Sequence, residues 1–191
     1  MTNFSIIIGR SFDPPSVWRD ALPPSSAIFE KYRSALISQP LSAVWRGHGS
    51  AIFLEFGRLS PQVKRNGSVG NSQGDCTVMI EWSWRIESED AILCGSWSDE
   101  EGWEKVFETL IGRKVEDASI YGRLPELSIA LTDGLYVASF MTAEGQPAWT
   151  IFDGSGEQHK SGYIAVRDGK VYEDLEMETA PVVTNPDSKI A

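Results

Sequence analysis

Polar side chains that could do acid–base chemistry surround a glycine-rich turn early in the sequence. His48 lies between two glycines in WRGHGS, with Arg46 before it and Glu55 on the next apolar segment. An imidazole beside a carboxylate can act as a general base in a hydrolase. A hydrolase serine usually lies on a GxSxG turn that joins a strand to a helix, and the sequence predicts no such turn. We therefore interpret His48 as a turn histidine that contacts a neighbouring carboxylate.

A larger group of polar residues follows one face of a predicted strand. Alternation in CTVMIEWSWRIE predicts a single half-buried strand over residues 76–87. The polar residues of this face and of the strands expected beside it are Glu81, Ser83, Arg85, Glu87, Glu55 and Arg46. Two carboxylates and a guanidinium can form an acid–base pair or a sugar-binding site. Ion pairs on a solvated face are the commoner outcome, so we favour them and keep this face as the best candidate site.

Aromatic residues divide into two predicted groups. The hydrophobic period places Trp82, Trp84 and Trp103 in the core. Trp45, Trp97 and Trp149 fall near strand ends. An exposed indole at such a place is typical of a recognition surface, although core packing is the commoner role.

The charge of the chain indicates the kind of partner. Acidic residues outnumber basic ones by 27 to 17, which gives a net charge of -10, and most of the acids follow residue 80. This charge repels phosphate backbones and anionic membranes, so we expect no nucleic acid and no membrane partner. A basic protein fits better. The expected footprint is the polar side of a predicted helix, with Asp99, Glu100, Glu101, Glu104 and Glu108.

Cysteine use and the N-terminus indicate an ordinary cytoplasmic protein. Cys76 and Cys94 have no metal-ligand spacing, so neither a zinc site nor a disulfide scaffold is expected. The first residues form no signal sequence, and no apolar run reaches membrane-spanning length. We therefore expect a reduced, cytoplasmic protein without metal or cofactor. A homodimer and a monomer are both compatible with the sequence.

Two helices and a series of short strands are predicted. Ser26 and Pro40 bound a helix over 27–38, and a capping box of Ser98 and Glu101 starts a second helix over 99–111. Strands alternate with turns elsewhere, and a long loop follows residue 59. The Asp-Gly pairs at 133–134, 153–154 and 168–169 are typical of hairpins.

The order of these elements predicts an α+β protein with antiparallel β-sheets and two main helices. Gly47 and Gly122 end corresponding strands in two stretches that share the order of one helix and four strands. We infer a tandem duplication of an αββββ unit, 26–97 and 98–173, within one compact domain. Residues 1–25 form a Pro-rich connector, and residues 174–191 form an extended or disordered tail.

Several stretches carry a resemblance to known families. At WRGHGSAIFLEFG, IEWSWRIE, GSWSD and the segment from Leu110 to Phe152, the chain resembles a family of uncharacterised bacterial proteins. The pattern of LIGRKV, a strand and an Asp-Gly hairpin is also similar to immunity proteins that accompany polymorphic toxins. The second resemblance implies an acidic inhibitor that binds a basic toxin, and neither resemblance implies catalytic residues.

Two functions follow as hypotheses. The first is a non-enzymatic binding protein, of the immunity type, that uses Glu100, Glu104 and Glu108 or a face with Trp45, Arg46 and Arg85. The alternative is a small-molecule-binding protein or hydrolase that uses Arg46, His48, Glu55, Glu81 and Arg85. Convergence of these five side chains in one cavity would favour the alternative.

Overall fold

The computed structural model of the protein describes residues 25–64, 66–142, 149–154 and 162–175. The predicted connector, apart from Ser25, and the predicted tail beyond Leu175 lie outside these residues, and so does His159. Among the described residues, no helix is long and apolar enough to cross a membrane.

The first half of the chain holds one helix and five strands. They are α1 (Ser25–Leu36), β1 (Leu41–Arg46), β2 (Ile52–Phe56), β3 (Cys76–Ile80), β4 (Trp84–Glu87) and β5 (Ile92–Gly95). A short 3-10 turn, Glu100–Gly102, leads into the second half. This half contains α2 (Trp103–Leu110), β6 (Val115–Tyr121), β7 (Glu126–Leu131), β8 (Leu135–Ser139), β9 (Trp149–Asp153), β10 (Gly162–Arg167) and β11 (Lys170–Leu175).

The strands form two antiparallel sheets. Sheet I has the order β1-β2-β3-β9-β10-β11, and sheet II has the order β5-β4-β8-β7-β6. The buried faces of both sheets and the apolar stripes of both helices form one hydrophobic cluster. The predicted α+β class with antiparallel sheets and two helices is therefore confirmed.

The prediction of one strand over residues 76–87 is wrong. The chain leaves sheet I after Ile80 and enters sheet II at Trp84, so Glu81, Trp82 and Ser83 form a crossing between the sheets. Trp82 adopts a positive φ of 52° at a bend between β3 and β4. Its side chain is consequently 64% exposed and not part of the core.

The ends of both helices differ from the sequence prediction. The first helix begins and ends two residues earlier than expected. The predicted capping box is wrong, because the Asp99 side chain accepts the Glu101 N–H at 3.2 Å while Ser98 Oγ accepts the Gly95 N–H at 2.9 Å. A 3-10 turn therefore replaces the first turn of the predicted second helix.

The two halves of the chain are joined by a symmetric set of hydrogen bonds. Each bond has a counterpart whose donor and acceptor are shifted by 74 residues. The four bonds are Ser38 N–H to Val115 O, Gly112 N–H to Leu41 O, Leu41 N–H to Arg113 O and Val115 N–H to Gln39 O. Pro40 and Lys114 pair between them, so the pseudo-twofold axis passes through this bridge.

Each half gives three consecutive strands to one sheet and its next two strands to the other sheet. The repeated unit therefore has five strands, and not the four that we predicted, while β11 is an additional strand without a counterpart. A tandem duplication is our interpretation of this symmetry. The limits of the two halves, 26–97 and 98–173, stay predictions.

Candidate functional site

The polar residues expected on one face do not come together. Glu81 lies on the crossing after β3, Arg85 and Glu87 lie on β4 of sheet II, and Glu55 lies on β2 of sheet I. The predicted mixed-charge face is therefore wrong, since its single strand is divided between two sheets. No shared catalytic centre of these residues exists in the described chain.

Two of the predicted arginines are held by local ion pairs. Arg46 pairs with Glu100 and lies over the Trp103 ring at 4.5 Å, so it joins β1 to the 3-10 turn. Arg85 pairs with Glu87 on its own strand and lies over the Phe140 ring at 5.3 Å. Partly exposed pairs of this kind contribute little to stability, and their role is local positioning.

Glu55 and Trp45 belong to a buried network on the face of sheet I opposite the core. Glu55 is only 1% exposed. Its Oε1 accepts the Trp45 Nε1–H at 2.8 Å, while Oε2 accepts the Gly74 N–H at 2.8 Å and the Thr77 hydroxyl at 2.5 Å. The Trp45 indole also stacks on Phe53 with a centroid distance of 3.7 Å. Trp45 is therefore half-buried and a hydrogen-bond partner of Glu55.

A large apolar cavity lies where the chain crosses between the sheets. Its volume is about 970 Å³. The residues around it come from the β1–β2 turn, the outer face of sheet I, the Glu81–Ser83 crossing, the segment after β5 and the residues after β8: His48, Gly49, Ser50, Ala51, Phe53, Met79, Glu81, Trp82, Ser83, Trp97, Met141 and Thr142. Of the five residues that we expected to converge, only His48 and Glu81 line this cavity.

Two exposed tryptophans distinguish the cavity. Trp82 is 64% exposed and Trp97 is 78% exposed, whereas Trp149, which also lies at a strand end, is fully buried in the core. The position of Trp82 is fixed by Ser50. The Ser50 hydroxyl donates to the Trp82 carbonyl at 2.6 Å, and the Trp84 indole N–H donates to the Ser50 carbonyl at 2.6 Å. These bonds tie the crossing to the β1–β2 turn.

The backbone of Trp82 is strained. A bulky residue with positive φ costs free energy and is tolerated where the surroundings hold it in place. Sequence reasoning missed this feature because the alternation around EWSW is that of an uninterrupted strand. The signal that could have located it is the high tryptophan content at the point where the two sheets exchange strands.

Among the described residues, the histidine and the two cysteines are poorly placed for acid–base or nucleophilic catalysis. The His48 side chain is exposed and makes no hydrogen bond to another described residue, whereas a catalytic base is normally oriented by a third group. Burial raises the pKa of the Cys76 thiol to about 12 and that of Cys94 to about 11. Both thiols are therefore protonated at neutral pH and weak nucleophiles.

One serine lies in a motif that is typical of hydrolase nucleophiles. GNSQG at residues 70–74 matches the GxSxG pattern. Ser72, however, lies in the connection between β2 and β3, so no helix follows it as in the hydrolase turn. The pattern here forms part of a hairpin.

The predicted acidic footprint follows Trp97, a lining residue of the cavity, in the sequence. Glu104 and Glu108 are exposed on α2, and Glu100 lies on the preceding turn. Trp97 is two residues before Asp99, and the pair of Arg46 with Glu100 connects the same turn to the strand that leads to His48. None of these acids lines the cavity, whose acidic lining residue is Glu81, and Glu100 is already paired with Arg46.

No group of three metal-ligating side chains occurs among the described residues. Comparisons of the chain with protein-family models, curated proteins and solved structures found no match.

Proposed function

We propose that this chain is a non-enzymatic binding protein whose site is the cavity between Trp82 and Trp97. The observation that carries this proposal is the exposure of two tryptophans on one apolar cavity, one of them on strained backbone. Tryptophan is enriched among the residues that dominate binding energy at interfaces. Soluble proteins seldom expose such side chains together without a partner.

The partner that we propose is a basic protein with an exposed apolar side chain. This side chain enters the cavity, while neighbouring cations face Asp99, Glu104 and Glu108. Opposite charges at the edge of an interface mainly accelerate association. The resemblance to immunity proteins makes a basic toxin the preferred partner.

A small apolar molecule is the second candidate ligand. The cavity volume of about 970 Å³ lies within the range of small-molecule sites. His48 and Glu81 would supply the few polar contacts that orient such a ligand. A hydrolase is disfavoured, because His48 has no orienting partner among the described residues and both thiols are buried.

Selection of peptides from a random displayed library on the purified full chain tests the first candidate. We expect enrichment of sequences in which a large apolar residue is flanked by Lys or Arg. Trp82→Ala and Trp97→Ala should each weaken binding of an enriched peptide by about 10-fold or more. Enrichment that is indifferent to both tryptophans would contradict the site.

Variants of the acidic residues test whether electrostatic attraction accelerates association with the peptide. Glu104→Gln together with Glu108→Gln should slow association and flatten its salt dependence. The matched control is Glu89→Gln with Glu116→Gln, two exposed acids outside the footprint. The alternative outcome is that the chain selects no basic peptide but binds the neutral dye Nile red, with an affinity that depends on Trp82 and not on salt. In that case small-molecule binding replaces protein binding as the proposed function.

A further inference from the structure

A second, smaller cavity lies directly over Glu55 on the outer face of sheet I. Its volume is about 250 Å³. Three aromatic side chains, Trp45, Phe53 and Phe152, line it together with Glu55 and Thr77. The remaining lining residues are uncharged and come from the connection between β2 and β3: Gln62, Asn71, Ser72 and Gln73.

The charge of Glu55 is not balanced by any cation in the described chain. All three of its hydrogen-bond donors are neutral: an indole, a backbone amide and a hydroxyl. Oε1 accepts only the Trp45 N–H, so it retains capacity for another donor. Arg58, the nearest basic residue along this connection, pairs with Asp75. A buried carboxylate without a counter-charge is costly unless a cation completes it.

We infer that this cavity binds an organic cation, an ammonium or guanidinium group, over Glu55. Aromatic faces attract cations through their quadrupoles, and a desolvated site strengthens this attraction. The carboxylate supplies the opposite charge, and the amide side chains of the lining supply hydrogen-bond acceptors. The volume accommodates the end of a side chain or a small amine, and Phe53 is the lining residue that this site shares with the Trp82–Trp97 cavity.

Structural support of the loop is the competing role for Glu55, because the Gly74 N–H that it accepts lies at the end of the β2–β3 connection. If Glu55 only supported the loop, a cation and an uncharged molecule of the same shape would bind with the same affinity. The Trp45 indole N–H donates to Glu55, so its NMR resonance reports directly on an occupant. Trp45→Phe identifies that resonance.

The test is a titration of the full chain with choline, butylammonium and the peptide Gly-Lys-Gly. The control ligand is the uncharged carbon isostere of choline, dimethylbutanol. We expect saturable shifts of the Trp45 indole resonance with cations and binding at least about 10-fold weaker for the isostere. Equal binding of both, or no shift with any cation, overturns the inference.

Variants then assign the effect to the cavity. Glu55→Gln should weaken cation binding by about 10-fold or more and leave the binding of the isostere unchanged. If this variant does not fold, Phe152→Leu serves instead, because it retains apolar volume and loses the aromatic face. Loss of cation and isostere binding to the same extent in Phe152→Leu would overturn the inference. A response to the peptide alone assigns the site to a protein side chain, and a response to free amines alone assigns it to a small molecule.

Discussion

The outer faces of the two sheets carry different surfaces on matching backbones. A β-bulge occurs between Leu41 and Ala43 in β1 and between Val115 and Asp117 in β6, so both ladders continue in the same register. The outer positions Trp45, Phe53 and Glu55 of sheet I correspond in register to Ser119, Ser128 and Ala130 of sheet II. The backbone symmetry therefore does not require the aromatic residues or the buried carboxylate of sheet I.

The inner faces match where the outer faces differ. Trp84 begins β4 and contacts Trp103 edge-on at 4.8 Å, while Trp149 begins β9 and contacts Phe29 edge-on at 6.3 Å. Trp84 donates its indole N–H to the carbonyl of Ser50, and Trp149 does so to that of Pro125. Residues that hold the fold are repeated, and the unrepeated outer residues of sheet I are those to which we assign cation binding.

Removal of either inner tryptophan should have the largest effect on stability. Both indoles are fully buried, and a Trp→Ala change at such a site costs about 3–5 kcal/mol of unfolding free energy. Urea unfolding of Trp84→Ala and Trp149→Ala should give similar losses. The exposed Trp97→Ala is the control and should change stability by less than about 0.5 kcal/mol. Strongly unequal losses would break the equivalence of the two halves.

Glu55→Ala should destabilise the chain by about 2 kcal/mol or more. The change leaves the buried Trp45 indole N–H, Gly74 N–H and Thr77 hydroxyl without their acceptor, and unpaired buried donors are costly. Glu87→Ala on β4 is the matched control. Since Glu87 has only a partly exposed ion pair, its loss should cost less than about 1 kcal/mol by urea unfolding. Equal losses would show that the two outer faces do not differ energetically.

Replacement of Trp82 should increase stability while it removes binding. Glycine adopts positive φ without the steric cost that tryptophan carries, so Trp82→Gly should stabilise the fold by about 1 kcal/mol. The same variant should lose binding of the selected peptide. Trp97→Gly offers the comparison, because Trp97 does not have a positive φ and should not gain stability. A destabilised Trp82→Gly would show that the indole serves packing.

Local periodicity predicted most of the elements but not their distribution between sheets. The stripes of both helices and the Asp168-Gly169 turn, both of whose residues have positive φ, follow from short-range sequence. The passage of the chain from sheet I to sheet II after Ile80 does not follow from short-range sequence. Ile80, Trp84 and Ile86 are all buried, which is the pattern that one continuous strand would also give. Short-range pattern cannot distinguish one long strand from two strands that continue into different sheets.

The candidate sites were predicted less completely for the same reason. His48 and Glu81 are in the large cavity, whereas the network of Glu55 and Trp45 depends on pairing with Thr77 and on the end of a long connection at Gly74. Glu55 has the sequence context of a solvated strand residue. Its burial follows from tertiary contacts that no local pattern specifies.

The smallest predicted effect concerns β11, the strand without a counterpart in sheet II. Here Glu173 accepts hydrogen bonds from Lys31 at 2.7 Å and Tyr32 at 3.0 Å, which attaches α1 to sheet I. The bond from Lys31 holds the pKa of Glu173 below its ordinary value, against the opposing effect of desolvation.

Because the folded-state pKa of Glu173 is lowered, its contribution is fully present above the unfolded-state value of about 4.3. It is lost as the pH falls through the lower folded-state pKa, when the carboxylate gains a proton in both states. Lys31 is exposed, so the contribution should be below about 1 kcal/mol. Urea unfolding between pH 6 and pH 3 should therefore give a smaller loss of stability in Glu173→Gln than in the parent chain by about this amount.

The control is Asp174→Asn on the same strand, which leaves the contact with α1 intact. An unchanged pH profile in Glu173→Gln would mean that the bonds from Lys31 and Tyr32 to Glu173 add nothing to the attachment of α1, which Arg33 also bonds to Asp117 of β6.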